Sequence, residues 1–271
     1  MLGRGGTERC FVPPRRIAGR RWTGAAPVRI VHAQAMSDSI PDAEPGMVRP
    51  DVREHHLTVA RTARYVTVGD AVQPGRVWLV LHGYGQLAAT FAPRCRPLAG
   101  EHAIVVAPEA LSRFYVESSS SRAHAQARVG ATWMTREDRL AEIGDYVAYL
   151  DQLVAHVMTE LATADAQLCV LGFSQGAATA SRWAERGTVV PHRLVLWGGL
   201  LAEDGNLAAL AARLDGTPVE YVVGEEDPLC TVEDVRAQAA RLADHGIATD
   251  VSVFAGGHRL HAPTLAGLTT R

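Results

Sequence analysis

From about residue 54 to the C-terminus, six short runs of Val, Leu and other apolar residues recur, at 77–81, 103–107, 167–172, 194–197, 219–223 and 251–254. Each is apolar at nearly every position, which is how a strand reads when helices cover both faces of its sheet. Longer stretches of mixed polarity separate the runs, so the chain reads as α/β: a mostly parallel central sheet with helices on both faces. Leu57 and Val59, followed by residues 65–68, predict a further antiparallel pair at one edge.

The intervening stretches carry helical periodicity. Between Arg136 and about Leu161, the residues Leu140, Ile143, Val147, Leu150, Val154, Val157 and Leu161 recur every three or four positions, and Thr135 with Asp138 offers a capping-box start. A second capped helix is predicted after Thr231, with Asp234 completing the box and Gly246 marking the end. Further helices are predicted near 175–186, 203–214 and 261–270. Residues 109–135 break the pattern with about 27 positions lacking sustained periodicity. This segment carries Phe114, Tyr115 and Trp133, which are the candidate lining of an apolar substrate pocket. The competing reading is that they anchor a surface loop to the core.

The net charge of −2 hides an uneven distribution. Residues 1–35 hold seven Arg and one acid, Glu8, giving +6, while residues 36–271 hold twenty Arg and twenty-eight acids, giving −8. Every basic residue is Arg, and beyond position 35 they are scattered rather than massed on one element, which argues against nucleic-acid binding. Arg20, Arg21 and Arg29 interrupt any apolar stretch that a secretory signal would need. Residues 1–52 are therefore expected to be a disordered, dispensable leader, and 53–271 the catalytic domain of a cytoplasmic protein. No run approaches the roughly 18 to 20 apolar residues of a membrane span, so no stable membrane insertion is expected. Cys10, Cys95, Cys169 and Cys230 form no C-x-x-C pair and are expected as reduced thiols.

The motif that carries chemistry is Gly172-Phe173-Ser174-Gln175-Gly176, placed between an apolar run and a small-residue helix. A sharp strand-to-helix turn of this kind holds a serine in a strained conformation and projects its Oγ above the sheet. A serine hydroxyl is a weak nucleophile, so a histidine must take its proton and an acid must orient that histidine. Both follow in the order Ser, acid, His at the ends of later strands: Asp227 in Gly224-Glu225-Glu226-Asp227-Pro228 and His258 after Gly256-Gly257. Glu226 is the reserve acid, and His261 reads as peripheral. The oxyanion donors are assigned to the backbone N–H groups of Gln175 and Tyr84, the latter in the loop His82-Gly83-Tyr84-Gly85-Gln86, with His82 bracing that loop. There is no H-E-x-x-H, no Cys/His cluster and no Walker loop, so neither metal nor cofactor is expected.

Taken together, the H-G-Y-G loop, the G-F-S-Q-G elbow, Gly224-x-x-Asp227 and Gly257-His258 resemble the phospholipase/carboxylesterase family of α/β-hydrolases over roughly residues 54–271. That resemblance implies an α/β-hydrolase fold and a cofactor-free serine hydrolase acting on small-molecule acyl esters, with lysophospholipids and thioesters among the substrates it allows. Gln86 stands where the family loop usually carries Asp, and the stretch around Phe114 and Trp133 differs from the thioesterase members. An acyl thioesterase with the same triad is the alternative activity, and an aminopeptidase-like or acyl-transfer enzyme would use the same machinery. A non-catalytic binding module is the alternative from another class. A homodimer is left open.

Overall fold

The computed structural model describes residues 53–116 and 127–270. The chain divides into two units, 1–58 and 59–271. Of the first, only residues 53–58 are described, and they carry no helix or strand. The leader expected at 1–52, with Cys10, lies outside the described residues.

Seven strands form one sheet in the order β1-β3-β2-β6-β7-β8-β9. Six are the predicted apolar runs: β2 (Arg76–Leu81), β3 (Ala103–Pro108), β6 (Gln167–Phe173), β7 (Arg193–Trp197), β8 (Val219–Gly224) and β9 (Thr249–Phe254), all paired in parallel. The expected opening pair is instead a single strand, β1 (Tyr65–Val68), antiparallel to β3 at the sheet edge. Leu57 and Val59 are exposed coil.

Side chains alternate across the sheet and feed two cores. Val77, Leu79 and Leu81 of β2 join the core under α2 (Arg139–Glu160), α3 (Gln175–Arg186), α4 (Leu207–Arg213) and α5 (Val232–Asp244). Trp78 and Val80 join the opposite one, under α1 (Ala88–Phe91), the 3₁₀ segment Ala92–Leu98 and α6 (Ala262–Gly267). Helices therefore cover both faces, as the near-continuous apolar runs require. This is the α/β-hydrolase fold.

Helix ends show where local signals prevailed. Helix α5 has both halves of its capping box, Thr231 with Asp234, and ends before Gly246 at φ 80°. The capping box expected at Thr135 does not form. Asp138 turns left-handed at φ 45°, the helix starts at Arg139, and Glu142 reaches back to accept from the Thr135 N–H. The apolar stripe consequently begins at Ile143 and includes Tyr146 and Leu153, while Leu140, in the first turn, is 75% exposed. Helix α4 starts later than expected because the Asn206 side chain caps it by accepting from the Ala209 N–H.

The 109–135 segment is not an unstructured loop. Its two ends pair as an antiparallel hairpin, β4 (Ser112–Tyr115) with β5 (Val129–Thr132). Residues 117–126 between them are outside the described residues. Among the described residues no helix is long and apolar enough to cross a membrane.

Candidate active site

Ser174 sits between β6 and α3 with φ 56° and ψ −119°, a conformation costly for any residue but glycine. The turn closes because two flanking residues lack side chains. A Cβ on Gly172 would stand 2.2 Å from the Gly176 carbonyl oxygen, and one on Gly176 would stand 2.2 Å from that of Leu81. The Ser174 N–H donates to the Trp197 carbonyl at 2.9 Å, tying the elbow to β7. Helix α3 begins at the next residue, so its N-terminal amides and positive dipole end lie beside Ser174.

Asp227 is the acid that the fold brings in. It is buried behind the β8 end, whereas Glu225 and Glu226 are exposed. One carboxylate oxygen accepts from the N–H groups of Leu229 (2.9 Å) and Cys230 (3.1 Å), and the other meets His258 Nδ1 at 2.8 Å. A carboxylate can only accept, so Nδ1 carries the hydrogen, and in the neutral imidazole the lone pair is on Nε2. The Phe173 ring packs on the imidazole with centroids 4.9 Å apart. Ser174 and His258 line one cleft. Among the described residues Ser174 Oγ makes no hydrogen bond, a contact that often tightens only when substrate binds. His261 hydrogen-bonds to Thr264 Oγ1 and stacks on Phe254, away from this chemistry.

The thiols are poor competitors for the nucleophile's role. Cys95, Cys169 and Cys230 are free and buried, and burial pushes Cys95 and Cys230 up to about 12.

The H-G-Y-G loop leaves β2 at the same sheet end. Among the described residues neither the Tyr84 nor the Gln175 N–H has an acceptor, as an oxyanion site needs. The loop is braced from several directions. His82 is fully buried; its Nε2 accepts from the Ala110 N–H at 3.1 Å, so Nδ1 donates to the Gly83 carbonyl at 2.8 Å. Burial lowers its pKa and keeps it neutral. Gln86 Oε1 accepts from the Gly83 N–H, and the Gly85 N–H and Gln86 carbonyl pair with Ala131 of β5. From the elbow, Gln175 Nε2 donates to the Met134 carbonyl at 2.9 Å and its Oε1 accepts from the Trp133 N–H at 3.2 Å. The hairpin thus joins the Ser174 turn to the H-G-Y-G loop.

Glu109 adds a charged brace that sequence reasoning missed. Its side chain is fully buried and accepts from Arg64 (2.7 and 2.8 Å), Arg113 (2.6 Å) and the Ala88 N–H at the start of α1 (3.3 Å). Burial alone pushes its carboxyl up, but hydrogen bonds from Arg64 and Arg113 outweigh it and hold the group below its ordinary value of 4.5. The brace thus contributes fully above pH 4.5 and weakens as pH falls below it. Glu109→Gln is expected to cost about 2 kcal/mol at neutral pH, less than a fully buried pair because both arginines can hydrate. Denaturant titration should show the gap to wild type closing in acid; a constant gap would remove Glu109 from the pH response.

The pocket candidates separate. Trp133 is 2% exposed, its indole Nε1 donates to the His82 carbonyl at 2.8 Å, and its ring packs against His82 and Tyr146. It is a core brace for the H-G-Y-G loop, because the elbow's hold on residues 132–134 turns it inward. Phe114 packs on Tyr84 with centroids 5.1 Å apart, and Tyr115 is 53% exposed. The cleft over Ser174, about 280 Å³, is lined instead by Tyr84, Phe91, Phe173, Leu229, Leu260 and two arginines, Arg94 and Arg259. Tyr84 and Phe173 lie in motifs that the sequence singles out, and Arg259 adjoins His258; nothing in the sequence marked Phe91, Arg94, Leu229 or Leu260 as cleft residues. Trp133→Ala should cost about 3 to 5 kcal/mol of stability. Phe114→Ala should instead change the ester-length profile by releasing Tyr84 at the cleft rim. Melting curves and a panel of p-nitrophenyl esters separate the two effects, and the reverse pattern would restore Trp133 as a pocket wall.

A family model described as Serine hydrolase (FSH1) matches residues 73–266. Among solved structures the chain is similar to acyl-protein thioesterase 2 of Zea mays, at 18% identity and TM-score 0.56 over 77% of this chain and 97% of that one. It is similar to a carboxylesterase from Mesorhizobium loti at 20% identity and TM-score 0.59, over 77% and 93%. A phospholipase/carboxylesterase from Dyadobacter fermentans aligns at 19% identity and TM-score 0.52, over 79% and 97%. At such identities these likenesses establish the fold. No curated protein matches the chain. The family model spans both the H-G-Y-G loop and the elbow, as well as Asp227 and His258, and the resemblance to phospholipase/carboxylesterase-like α/β-hydrolases stands with it: the chain belongs to the serine hydrolase (FSH1) family of α/β-hydrolases.

Proposed function

We propose that the protein hydrolyses carboxylic esters through a Ser-His-Asp triad and an acyl-enzyme intermediate. The observation that carries this reading is the 2.8 Å contact of His258 Nδ1 with Asp227, in a cleft that Ser174 also lines. His258 Nε2 takes the proton from Ser174 Oγ as that oxygen attacks the acyl carbonyl. Charge developing on the carbonyl oxygen falls between the N–H groups of Tyr84 and Gln175, each such donor being worth roughly 3 to 4 kcal/mol in the transition state. His258 then returns its proton to the leaving alcohol. Water, deprotonated by the same imidazole, releases the acid and restores Ser174.

The small cleft and its aromatic and aliphatic lining fit a small acyl ester, and no step calls for a metal or an organic cofactor. The thioesterase reading uses the same groups, and the acyl-protein thioesterase among the similar structures gives it a place beside the esterase reading. Incubation of the full chain with a fluorophosphonate probe, followed by peptide mapping, tests the shared chemistry. A covalent adduct on Ser174 together with turnover of p-nitrophenyl butyrate is expected; no adduct and no turnover would leave a binding module. Parallel assays on an oxygen ester and a thioester with the same acyl group then choose between the two activities.

A further inference from the structure

Among the described residues the lining of the cleft over Ser174 contains no acidic side chain but does contain two arginines, brought there by different elements. Arg94 comes from the 3₁₀ segment that follows α1, and Arg259 directly follows His258. Both are exposed, and among the described residues neither forms an ion pair. Other arginines near the site are committed: Arg64 and Arg113 to Glu109, Arg139 and Arg182 to Asp204. We infer that Arg94 and Arg259 bind an anionic group, a carboxylate or a phosphate, carried by the ester substrate. This rests on the hydrolase reading above and names its substrate class.

Three physical arguments carry the inference. Two like charges converging on one cleft repel each other, and this cost is offset when an anion binds between them. Among the described residues no acid is placed to do so. Asp227 has a side chain only 1% exposed, engaged with His258 and two backbone N–H groups, and Glu225 and Glu226 do not line the cleft. Next, Arg259 is held in place. Its backbone N–H donates to the Gly257 carbonyl at 2.9 Å, its carbonyl accepts from Trp197 Nε1 at 2.9 Å, and its guanidinium lies over Gly256 with Nη2 donating to the Ala255 carbonyl at 3.4 Å. An arginine ordered in this way loses less conformational freedom on binding. Finally, a planar guanidinium matches carboxylate and phosphate oxygens with paired N–H donors, and such bonds are the stronger class. Leu229 and Leu260 beside the arginines supply apolar surface for the remainder of the molecule.

A different use of the same charges would be a general field that favours the oxyanion. That field would accelerate neutral and anionic esters alike, so the ratio between them separates the two roles. The full chain is assayed with phenyl acetate, 3-acetoxybenzoate and 3-acetoxyphenyl phosphate, which share the acetyl group and carry a hydrogen, a carboxylate or a phosphate at the meta position of the leaving group, with methyl 3-acetoxybenzoate as the uncharged control for the substituent. On the acyl side, mono-p-nitrophenyl adipate is set against p-nitrophenyl hexanoate. The wild type is expected to prefer at least one anionic ester in kcat/KM by about tenfold or more, with the carboxylate and phosphate arms showing which anion is taken. Arg94→Gln and Arg259→Gln should each reduce that preference by about tenfold, with partial recovery in Arg94→Lys and Arg259→Lys. In the wild type itself, raising salt from about 0.05 to 0.5 M should shrink the preference.

A wild type without anionic preference, or a preference unchanged within about twofold in both Gln variants, overturns the inference. Equal losses on neutral and anionic esters overturn it as well. Turnover of the neutral esters in these cases leaves the hydrolase reading intact; failure to hydrolyse any of these esters brings down both.

Discussion

Ser174→Ala is expected to lower turnover of p-nitrophenyl butyrate by about 10⁵- to 10⁶-fold, the scale on which losing a triad nucleophile acts. The fold should survive, because Ser174 Oγ makes no hydrogen bond among the described residues and the elbow is held by backbone contacts. Ser174→Gly sharpens the test. At φ 56° the serine carries strain that a glycine avoids, so this variant should be equally inactive yet more stable than Ser174→Ala by about 1 kcal/mol. Denaturant titration beside the ester assay reads both effects. Undiminished turnover in either variant would move the nucleophile elsewhere; a less stable glycine variant would mean the elbow strain is misread.

Asp227→Asn should cost about 10³- to 10⁴-fold in kcat with little change in KM. The asparagine carbonyl can still accept from the Leu229 and Cys230 N–H groups, so the turn keeps its shape. The side-chain NH₂ then faces His258 Nδ1, which must become an acceptor. The imidazole hydrogen moves to Nε2, the atom that has to take the serine proton. Glu226→Gln is the control, since Glu226 is exposed on the same turn. A loss in Glu226→Gln as large as that in Asp227→Asn would reassign the orienting acid.

That Asp227, and not Glu225 or Glu226, turns inward to His258 was legible in the sequence because a strand end followed by G-x-x-D-P fixes which residue turns back. The elbow was legible for a similar reason. Its requirements are steric and local: glycines two positions either side of the serine, a strand before and a helix after. The predicted parallel strands followed from continuous apolar runs, which only a doubly covered sheet accommodates. The failures have a common cause. Thr135 and Asp138 satisfy the spacing of a capping box, yet Glu142 competes for the Thr135 N–H and the helix starts later. Trp133 reads as a pocket wall by composition, yet the Gln175 side chain pulls residues 132–134 against the elbow and buries the indole. In both places a partner from another turn or element decided between local options of similar energy.

The sequence by itself determined the α/β-hydrolase architecture, the strand-turn-helix around Ser174 and the order in which Ser174, Asp227 and His258 follow their strands, because each depends on periodicity or on the sterics of a few adjacent residues. Only the tertiary structure decided which aromatic residues face the cleft and which brace it. It also placed two arginines that form no ion pair among the described residues in the cleft that Ser174 lines, and it joined Arg64, Glu109 and Arg113 at the start of α1. Side chains far apart in the chain meet only when the sheet order sets which strand ends are neighbours. Their burial and charge balance are therefore properties of the packed sheet, which no window of sequence contains.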